Sequence, residues 1–335
     1  MTPVRRRLAA ALASASVLAL AACGNSVSAE ESGPAPAVVR PAAVTKAANC
    51  KDGLPPVASF APGSITSDPA SVKQSPTMAR IKKAGRLTVG TSGDVLLWGA
   101  RNPDTGQLEG YDIDLLKAIA AKLDVPIAYK VINYGQRLPS LENSSVDLVA
   151  HTMTINCARW QGSDGQPNAI NFSSEYYPAG QKVLVRADSR AKRVEDLKGQ
   201  KVCVPAASTN VDNVAKMGLD LVELDVVGDC LVMFQEGEVV GITGDDTVLA
   251  GFAAQDPYAR VIGDPFSAEP YGLGVSAGDP AFTRFVNAVL EEMRSDGSLQ
   301  RLYDKWMADA VTGAAPAIPQ PVYGRDVDRL GRPKS

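Results

Sequence analysis

Apolar side chains recur at helical spacing near the C-terminal end of the chain. Phe282, Phe285, Val286, Val289, Leu290 and Met293 fall at i, i+3, i+4, i+7, i+8 and i+11, which lays them along one face of a helix. Ser295-Asp296-Gly297 stops it, and Leu299, Leu302, Tyr303 and Trp306 repeat the pattern in a second helix. Farther back, Ile113, Leu116, Ile119, Ala120 and Leu123 mark a third, with Asp112 as its expected cap. Short apolar runs bounded by turn residues predict strands at 86–90, 127–132 and 146–155, with short helices at 78–84 and 138–143. The resulting β-α-β-α-β order implies a parallel sheet covered by helices.

A second unit of the same kind follows. Strands are predicted at 182–185, 201–204, 221–224, 239–243 and 260–262, and helical segments at 194–197, 210–217, 228–235 and 247–255. The run 271–276 reads as a strand returning to the first unit. Two α/β units joined by two extended crossings, near 182–188 and 269–276, describe a bilobed protein. Ligands bind such sheets at the carboxyl ends of their strands, so the facing loops of the two lobes would line a cleft. The expected division is 76–185 with 270–312 as lobe 1, 186–269 as lobe 2, and an irregular tail over 313–335.

Composition agrees with this size. The 335 residues suit two ordinary domains, and 45% hydrophobic with 21% charged residues supply a real core and a polar surface. Lys+Arg 34 against Asp+Glu 37 gives a net charge of −3, so no sequence-blind affinity for nucleic acid is expected. His151 is the single histidine. That excludes most His-rich metal sites and leaves one possible base for any Ser-His or Cys-His nucleophile.

The N-terminus reads as a targeting device. Arg5, Arg6 and Arg7 form a basic head, and Leu8 to Ala22 an apolar stretch too short for a stable membrane span; together they match a signal peptide over 1–22. Leu20-Ala21-Ala22-Cys23-Gly24 resembles the bacterial lipobox. Cys23 is therefore expected to be lipidated and to hold the mature chain on the extracytoplasmic face of the cell membrane. Residues 23–75 carry seven prolines and no periodicity, and read as a disordered or extended tether. If Cys50 is pinned to the body, about 26 residues stay free and span roughly 28 Å as a coil.

Setting Cys23 aside leaves Cys50, Cys157, Cys203 and Cys230. An even number in an exported chain suggests two disulfides, with three pairings open. The reading favours Cys203–Cys230, inside one unit, and Cys50–Cys157, tying the end of the tether to the other. No CxxC spacing supports a metal, and no cofactor is expected.

Four segments carry a family resemblance. The first is Leu87-Thr-Val-Gly90 followed by Gly110-Tyr-Asp-Ile-Asp114-Leu115. The second runs from Val146-Asp147-Leu148 through Thr152-Met-Thr154 and Arg159 to Phe172-Ser173 and Tyr176-Tyr177. The third is Asp196-Leu-Lys-Gly199 with Lys201-Val202 and then 241–246. The fourth is Tyr271-Gly272 with Asn287, Asp296-Gly297 and Lys305-Trp306. In that order they resemble the extracellular solute-binding proteins of family 3, the polar amino-acid receptors of ABC importers, most like actinobacterial glutamine/glutamate-binding lipoproteins. The resemblance implies a two-lobed type II periplasmic-binding-protein fold and a receptor, not an enzyme, that closes about its ligand by a hinge and works as a monomer. Its implied partners are a free polar amino acid, an ABC permease and ATPase or a membrane sensor, and the membrane through the lipid anchor.

A free amino acid carries a carboxylate and an ammonium on one carbon, and a closed cleft must satisfy both. Arg159 suits the carboxylate, since its planar fork donates two parallel bonds, and the resemblance implies the same role. Thr152 and Thr154, two apart at a strand end, are expected to share a face and complete the shells of both groups. Ser208 and Thr209 open a helix, where backbone N–H groups favour anions, and the family's matching loop reaches the carboxylate. Of Asp245 and Asp246, one is expected to cap the following helix and one to take the ammonium; the resemblance assigns the ammonium to Asp246. It also implies an aromatic wall at Tyr134 and a side-chain reader at Ser92. Trp98 reads as a core anchor beside the site. His151, on the face opposite the two threonines, reads as packed structure.

Two departures matter. Some glutamate/aspartate receptors carry an arginine where this chain has Ser92, a gap Arg137 or Arg101 could fill. The interval from Arg159 to Phe172 is longer than the family's and reads as a surface loop. Glutamate, glutamine, aspartate and asparagine all stay open as ligands. A sensor that reports the ligand without transport fits the same residues, whereas an enzyme on this fold needs a positioned acid or base in the cleft, such as a glutamate, which the expected cleft segments do not supply.

Overall fold

The structure, a computed structural model, describes residues 48–162, 170–310 and 316–325. The expected signal peptide, Cys23 and the tether as far as residue 47 lie outside the described residues, as do 163–169 of the long interval after Arg159 and 311–315 and 326–335 of the tail.

The described chain begins with β1 (Ala58–Ser59) and α1 (Pro76–Ala84), then β2 (Leu87–Thr91), β3 (Asp94–Val95), β4 (Gly99–Arg101), β5 (Leu108–Glu109) and α2 (Tyr111–Leu123). Next come β6 (Ile127–Val131), α3 (Arg137–Glu142), β7 (Leu148–Val149), α4 (Cys157–Gln161) and β8 (Ile170–Phe172). The long strand β9 (Tyr177–Arg186) leads to β10 (Lys201–Pro205), α5 (Thr209–Val214), β11 (Asp220–Leu224), α6 (Val227–Gln235), β12 (Gly241–Asp245), α7 (Asp246–Gln255) and β13 (Ala259–Ile262). The chain returns through β14 (Ala268–Tyr271) and β15 (Gly274–Ser276) to α8 (Pro280–Ser295), α9 (Ser298–Trp306) and β16 (Val322–Tyr323). Local chemistry fixes several ends. Ser75 caps α1 by accepting from Met78 N, Pro76 takes the first turn, and Gly85 closes it at φ 62°.

Lobe 1 holds a sheet in the order β6-β2-β7-β15-β8, with β6, β2 and β7 parallel and β15 and β8 running against their neighbours. Lobe 2 holds β11-β10-β12-β9-β13, parallel across its first three strands and antiparallel at β9 and β13. The crossing expected at 182–188 lies earlier in the chain. β9 pairs with β14 over Tyr177–Gly180 and with β12 over Gln181–Val185, so one continuous strand changes partners where a linker was anticipated. α2, α8 and α9 cover lobe 1, with Phe282, Phe285, Val286, Val289 and Leu290 fully buried, as the helical spacing required. Trp98 anchors the seam, its ring 5.0–5.1 Å from those of Tyr111, Tyr177 and Tyr271.

Four differences from the sequence expectations follow from packing. Asp112 does not cap α2. Gly110 holds that position at φ 135°, where a Cβ would lie 2.3 Å from the Trp98 backbone, and Asp112 turns inward to accept from Thr152 N at 3.0 Å and Tyr176 Oη at 2.7 Å. The strand expected at 239–243 is found at Gly241–Asp245, which puts Asp245 inside the sheet. The strand expected at 271–276 breaks into β14 and β15. Finally, residues 48–75, expected as tether, are packed on the body: Phe60 is fully buried, and β1 pairs in parallel with β16 from the tail. The pairing Cys50–Cys157 and Cys203–Cys230 is the observed one.

Candidate functional site

Arg159 sits in the middle of α4, a single turn. Asn156 caps that turn by accepting from Arg159 N at 2.8 Å, and the guanidinium Nη1 donates to the Thr154 carbonyl at 2.6 Å. Thr154 is reached by an irregular path. β7 ends at Val149, and Thr152 adopts φ 42°, a left-handed conformation that is costly for a β-branched residue. The two threonines therefore do not share a strand face, and the chain kinks between them. Thr152 Oγ1 meets Tyr134 Oη at 3.2 Å, while Thr154 forms an isolated bridge with Tyr271.

Arg137, the first residue of α3, is 2% exposed. Its Nε donates to the Tyr134 carbonyl at 3.0 Å, Nη1 to the His151 carbonyl at 3.2 Å and Nη2 to the Ala207 carbonyl of lobe 2 at 3.4 Å, and the guanidinium lies 4.3 Å from the centre of the Tyr134 ring. All these partners are neutral. Burial, and then neighbouring Arg159, hold its pKa below the ordinary value, but a guanidinium stays charged in a protein.

Lobe 2 and the return strand bring the acids. Thr209 opens α5, and its hydroxyl donates to Glu269 Oε2 at 2.6 Å; Thr154 donates to the same oxygen at 2.8 Å. The other oxygen of Glu269 accepts from Asn213 at 2.7 Å and Ser267 at 2.7 Å. Asp245, at the end of β12, accepts from Asn210 Nδ2 at 2.8 Å and Tyr271 Oη at 2.6 Å. Burial, and then the charge of Glu269, push its carboxyl up to about 7. The charges nearest in effect to Arg159 are Glu269 and Asp245, and Asp245 also acts on Arg137. Among the described residues none of these four charged groups has an opposite charge within 4.0 Å. A cavity of about 410 Å³ opens beside the cluster, walled by Thr154, Asn156, Thr209, Asp212 and Glu269.

The structure thus gathers Arg159, Thr152, Thr154, Thr209, Tyr134 and Asp245. It does not gather Asp246. That carboxylate accepts from Gly180 N at 3.3 Å and faces a different cavity, with Lys182 and Arg260. Because Asp245 ends a strand and Asp246 begins a helix, the two point apart. Neither caps α7 by a side-chain bond. Ser208 spends its hydroxyl on the Pro205 carbonyl at 2.6 Å, and Ser92 spends its own on the Gly99 carbonyl at 2.6 Å. His151 is packed, its ring 4.7 Å from Tyr134 and its Nε2 3.0 Å from the Ile132 carbonyl, and burial drives its pKa down to about 3. Glu269 and Tyr271 escaped the sequence reading as site residues. Glu269 stands two residues before Tyr271, and alternation along the return strand would have turned both toward the lobes' meeting point.

Comparison with known proteins places this geometry. The family described as bacterial extracellular solute-binding proteins, family 3, matches residues 87–309. An ABC transporter glutamine-binding protein, GlnH of Bacillus subtilis (strain 168), is 32% identical over 239 residues, covering 70% of this chain and 85% of the relative. The glutamate-binding protein GluB of Corynebacterium glutamicum is 33% identical over 235 residues, covering 65% and 77%. The solved structure of an ancestral arginine-binding protein bound to glutamine shares 34% identity with a TM-score of 0.61, covering 67% of this chain and 98% of that one.

Proposed function

The chain belongs to the bacterial extracellular solute-binding proteins, family 3, and from that premise we propose that it captures a free acidic amino acid, L-glutamate foremost, and delivers it to an ABC importer. The observation that carries this reading is the pair of guanidiniums, Arg137 and Arg159, set in the buried cluster beside Asp245 without a carboxylate on either. Among the described residues the cluster holds two cations and two anions; Glu269 is already occupied by Thr154, Thr209, Asn213 and Ser267, and Arg137, Arg159 and Asp245 are then left to answer the two carboxylates and one ammonium of glutamate. Arg159, with Thr154 and the start of α5, takes the α-carboxylate. Asp245, in place of the expected Asp246, takes the ammonium, and Arg137 takes the side-chain carboxylate. The relatives named for glutamate support an acidic ligand, and those named for glutamine support its size but not its charge. Among the described residues two glutamates line the cavity, Glu175 and Glu269, the latter held as an acceptor by four hydroxyl and amide donors; no turnover is proposed, because the relatives are named as binding proteins. Lipidation at Cys23 would keep the receptor beside its importer.

The test is a thermal-shift screen of the twenty amino acids. Saturating L-glutamate at ~1,000 times its Kd stabilises the folded chain by ~4 kcal/mol. A screen in which no amino acid raises the melting temperature removes the proposal. Arg137→Gln is expected to erase the preference for glutamate over glutamine, with the glutamate Kd rising at least ~10-fold and the glutamine Kd changing little; calorimetry with both ligands reads the ratio.

Closure brings the lobes together at defined contacts. Asp94 of lobe 1 accepts from Gly228 N at the start of α6 at 2.9 Å, and Arg137 reaches the Ala207 carbonyl. Gly251 of α7 packs on Leu96 so closely that a Cβ would lie 2.7 Å from the Leu96 carbonyl oxygen. Gly251→Ala is therefore expected to hinder closure and raise the glutamate Kd by roughly 10-fold, a cost of about 1.4 kcal/mol, with the unliganded melting temperature kept. An unaltered Kd would show that the contact slides.

A further inference from the structure

We propose that the two ends of the described chain form a strap that positions Arg159 by clamping the one-turn helix that carries it. The proposal rests on the reading of Arg159 as the partner of the ligand carboxylate. Helix α4 has five residues, and so short a helix has no stability of its own. A long arginine side chain reads a carboxylate well only when its base is fixed, because a misplaced fork loses its second bond.

The holds on α4 come in good part from segments outside the span that matches the family, 87–309. Cys157 opens the helix and is bonded to Cys50. Trp160, directly after Arg159, donates from Nε1 to the Pro56 carbonyl at 2.7 Å and packs on Phe60 with ring centres 6.1 Å apart. Gln161 accepts from Lys51 N at 3.4 Å. From the other end of the chain, the guanidinium of Arg325 lies 4.1 Å over the Trp160 ring. Arg325 is itself fixed to the N-terminal half of the strap: it pairs with Asp52, donates from Nε to the Ala58 carbonyl at 2.8 Å, and follows the β1–β16 pairing. The strap is moored to lobe 1 by Ser59, whose hydroxyl donates to the Phe172 carbonyl at 2.7 Å, and by Asn287, which donates to Ser59 Oγ and the Phe60 carbonyl at 2.8 Å.

Trp160 is thus held by Pro56 and Phe60 of the disulfide-linked segment and by Arg325, against Phe172 of lobe 1 with ring centres 5.5 Å apart. Arg159, its neighbour in the same turn, projects to Thr154 and the acids. Loosening the strap frees the turn and with it the fork. A strap that served stability alone would lower the melting temperature without touching affinity.

The experiment uses the full purified chain with free L-glutamate as probe. Three variants open the strap at different points: Cys50→Ser with Cys157→Ser, Arg325→Ala and Trp160→Phe. Each is expected to raise the glutamate Kd at least ~10-fold by calorimetry well below its own melting temperature, with amide protection lost over 157–161 and kept in β12. Arg325→Lys, which can still pair with Asp52 and cover the ring, is expected to recover part of the affinity. Cys203→Ser with Cys230→Ser, which breaks the lobe 2 bond, should lower the melting temperature and leave the Kd unchanged. If the cysteine variant does not fold, the Arg325 and Trp160 variants decide. Folded strap variants that bind glutamate as tightly as the wild type, or keep the protection of α4, overturn the strap. A wild-type chain that binds no amino acid overturns the receptor reading instead.

Discussion

Arg159→Ala is expected to raise the Kd for L-glutamate by ~30- to ~4,000-fold, the equivalent of ~2–5 kcal/mol for truncating one partner of a buried, hydrogen-bonded charge pair. Most of that loss is the penalty of leaving the ligand carboxylate buried with nothing to answer it. The backbone consequence is small. Among the described residues the guanidinium makes a single hydrogen bond, to the Thr154 carbonyl, so the unliganded chain should melt within a few degrees of the wild type. Arg159→Lys separates charge from geometry: an ammonium restores the Coulomb attraction without the planar fork, and an intermediate Kd is expected. Calorimetry at a fixed salt concentration reads all three proteins. An Arg159→Ala protein with a wild-type isotherm would take the residue out of the site.

The fold was legible where the pattern is repetitive. Helices α2, α8 and α9 follow from apolar spacing, and the alternation of strands with helices fixes two α/β units. What the pattern could not show is register and approach between distant segments. Asp245 and Asp246 are equivalent as letters, and only the two-residue displacement of β12 decides that Asp245 meets Tyr271 and Asn210 while Asp246 meets Gly180. Alternation placed Thr152 and Thr154 together on a strand, but the left-handed turn at Thr152 ended the strand first. Arg137 was visible as a candidate cation, yet its burial against the carbonyls of Tyr134, His151, Thr152 and Ala207 depends on α3, the kink at 151–152 and a loop of the opposite lobe. Residues 48–75 read as tether because prolines and small residues carry no period. They pack all the same, because Phe60, Cys50 and the β1–β16 pairing supply the contacts that local pattern does not.

Binding of L-glutamate is expected to weaken as pH falls from 8 to 5, and Asp245 is the reason. Its carboxyl titrates near 7 in the folded chain, raised by burial and then by Glu269. A carboxyl in the unfolded chain titrates near ~4. Between those values the folded state holds a proton that the unfolded state has released, so the stability of the unliganded protein falls as pH rises through the window and levels off above it. An incoming ammonium reverses the preference, because it pairs with the ionised carboxylate; binding then expels the proton, and affinity rises with pH until Asp245 is ionised without help. At pH 5, two units below the midpoint, the Kd should be up to ~100-fold higher than at pH 8. Asp245→Asn should abolish this dependence as well as most of the affinity. The asparagine can keep its place: Oδ1 accepts from Asn210, and Nδ2 donates to the Tyr271 oxygen while that hydroxyl turns to Thr247, 3.1 Å away. The variant should therefore fold, and its unliganded stability should decline less steeply between pH 4 and 7, the remaining decline coming from Asp112, raised by burial to about 6, and Glu175, raised by burial to about 7. Calorimetry in buffers of different ionisation enthalpy counts the proton released. A wild-type Kd that stays flat from pH 5 to 8, with no proton released at pH 6, would remove Asp245 as the ammonium's partner.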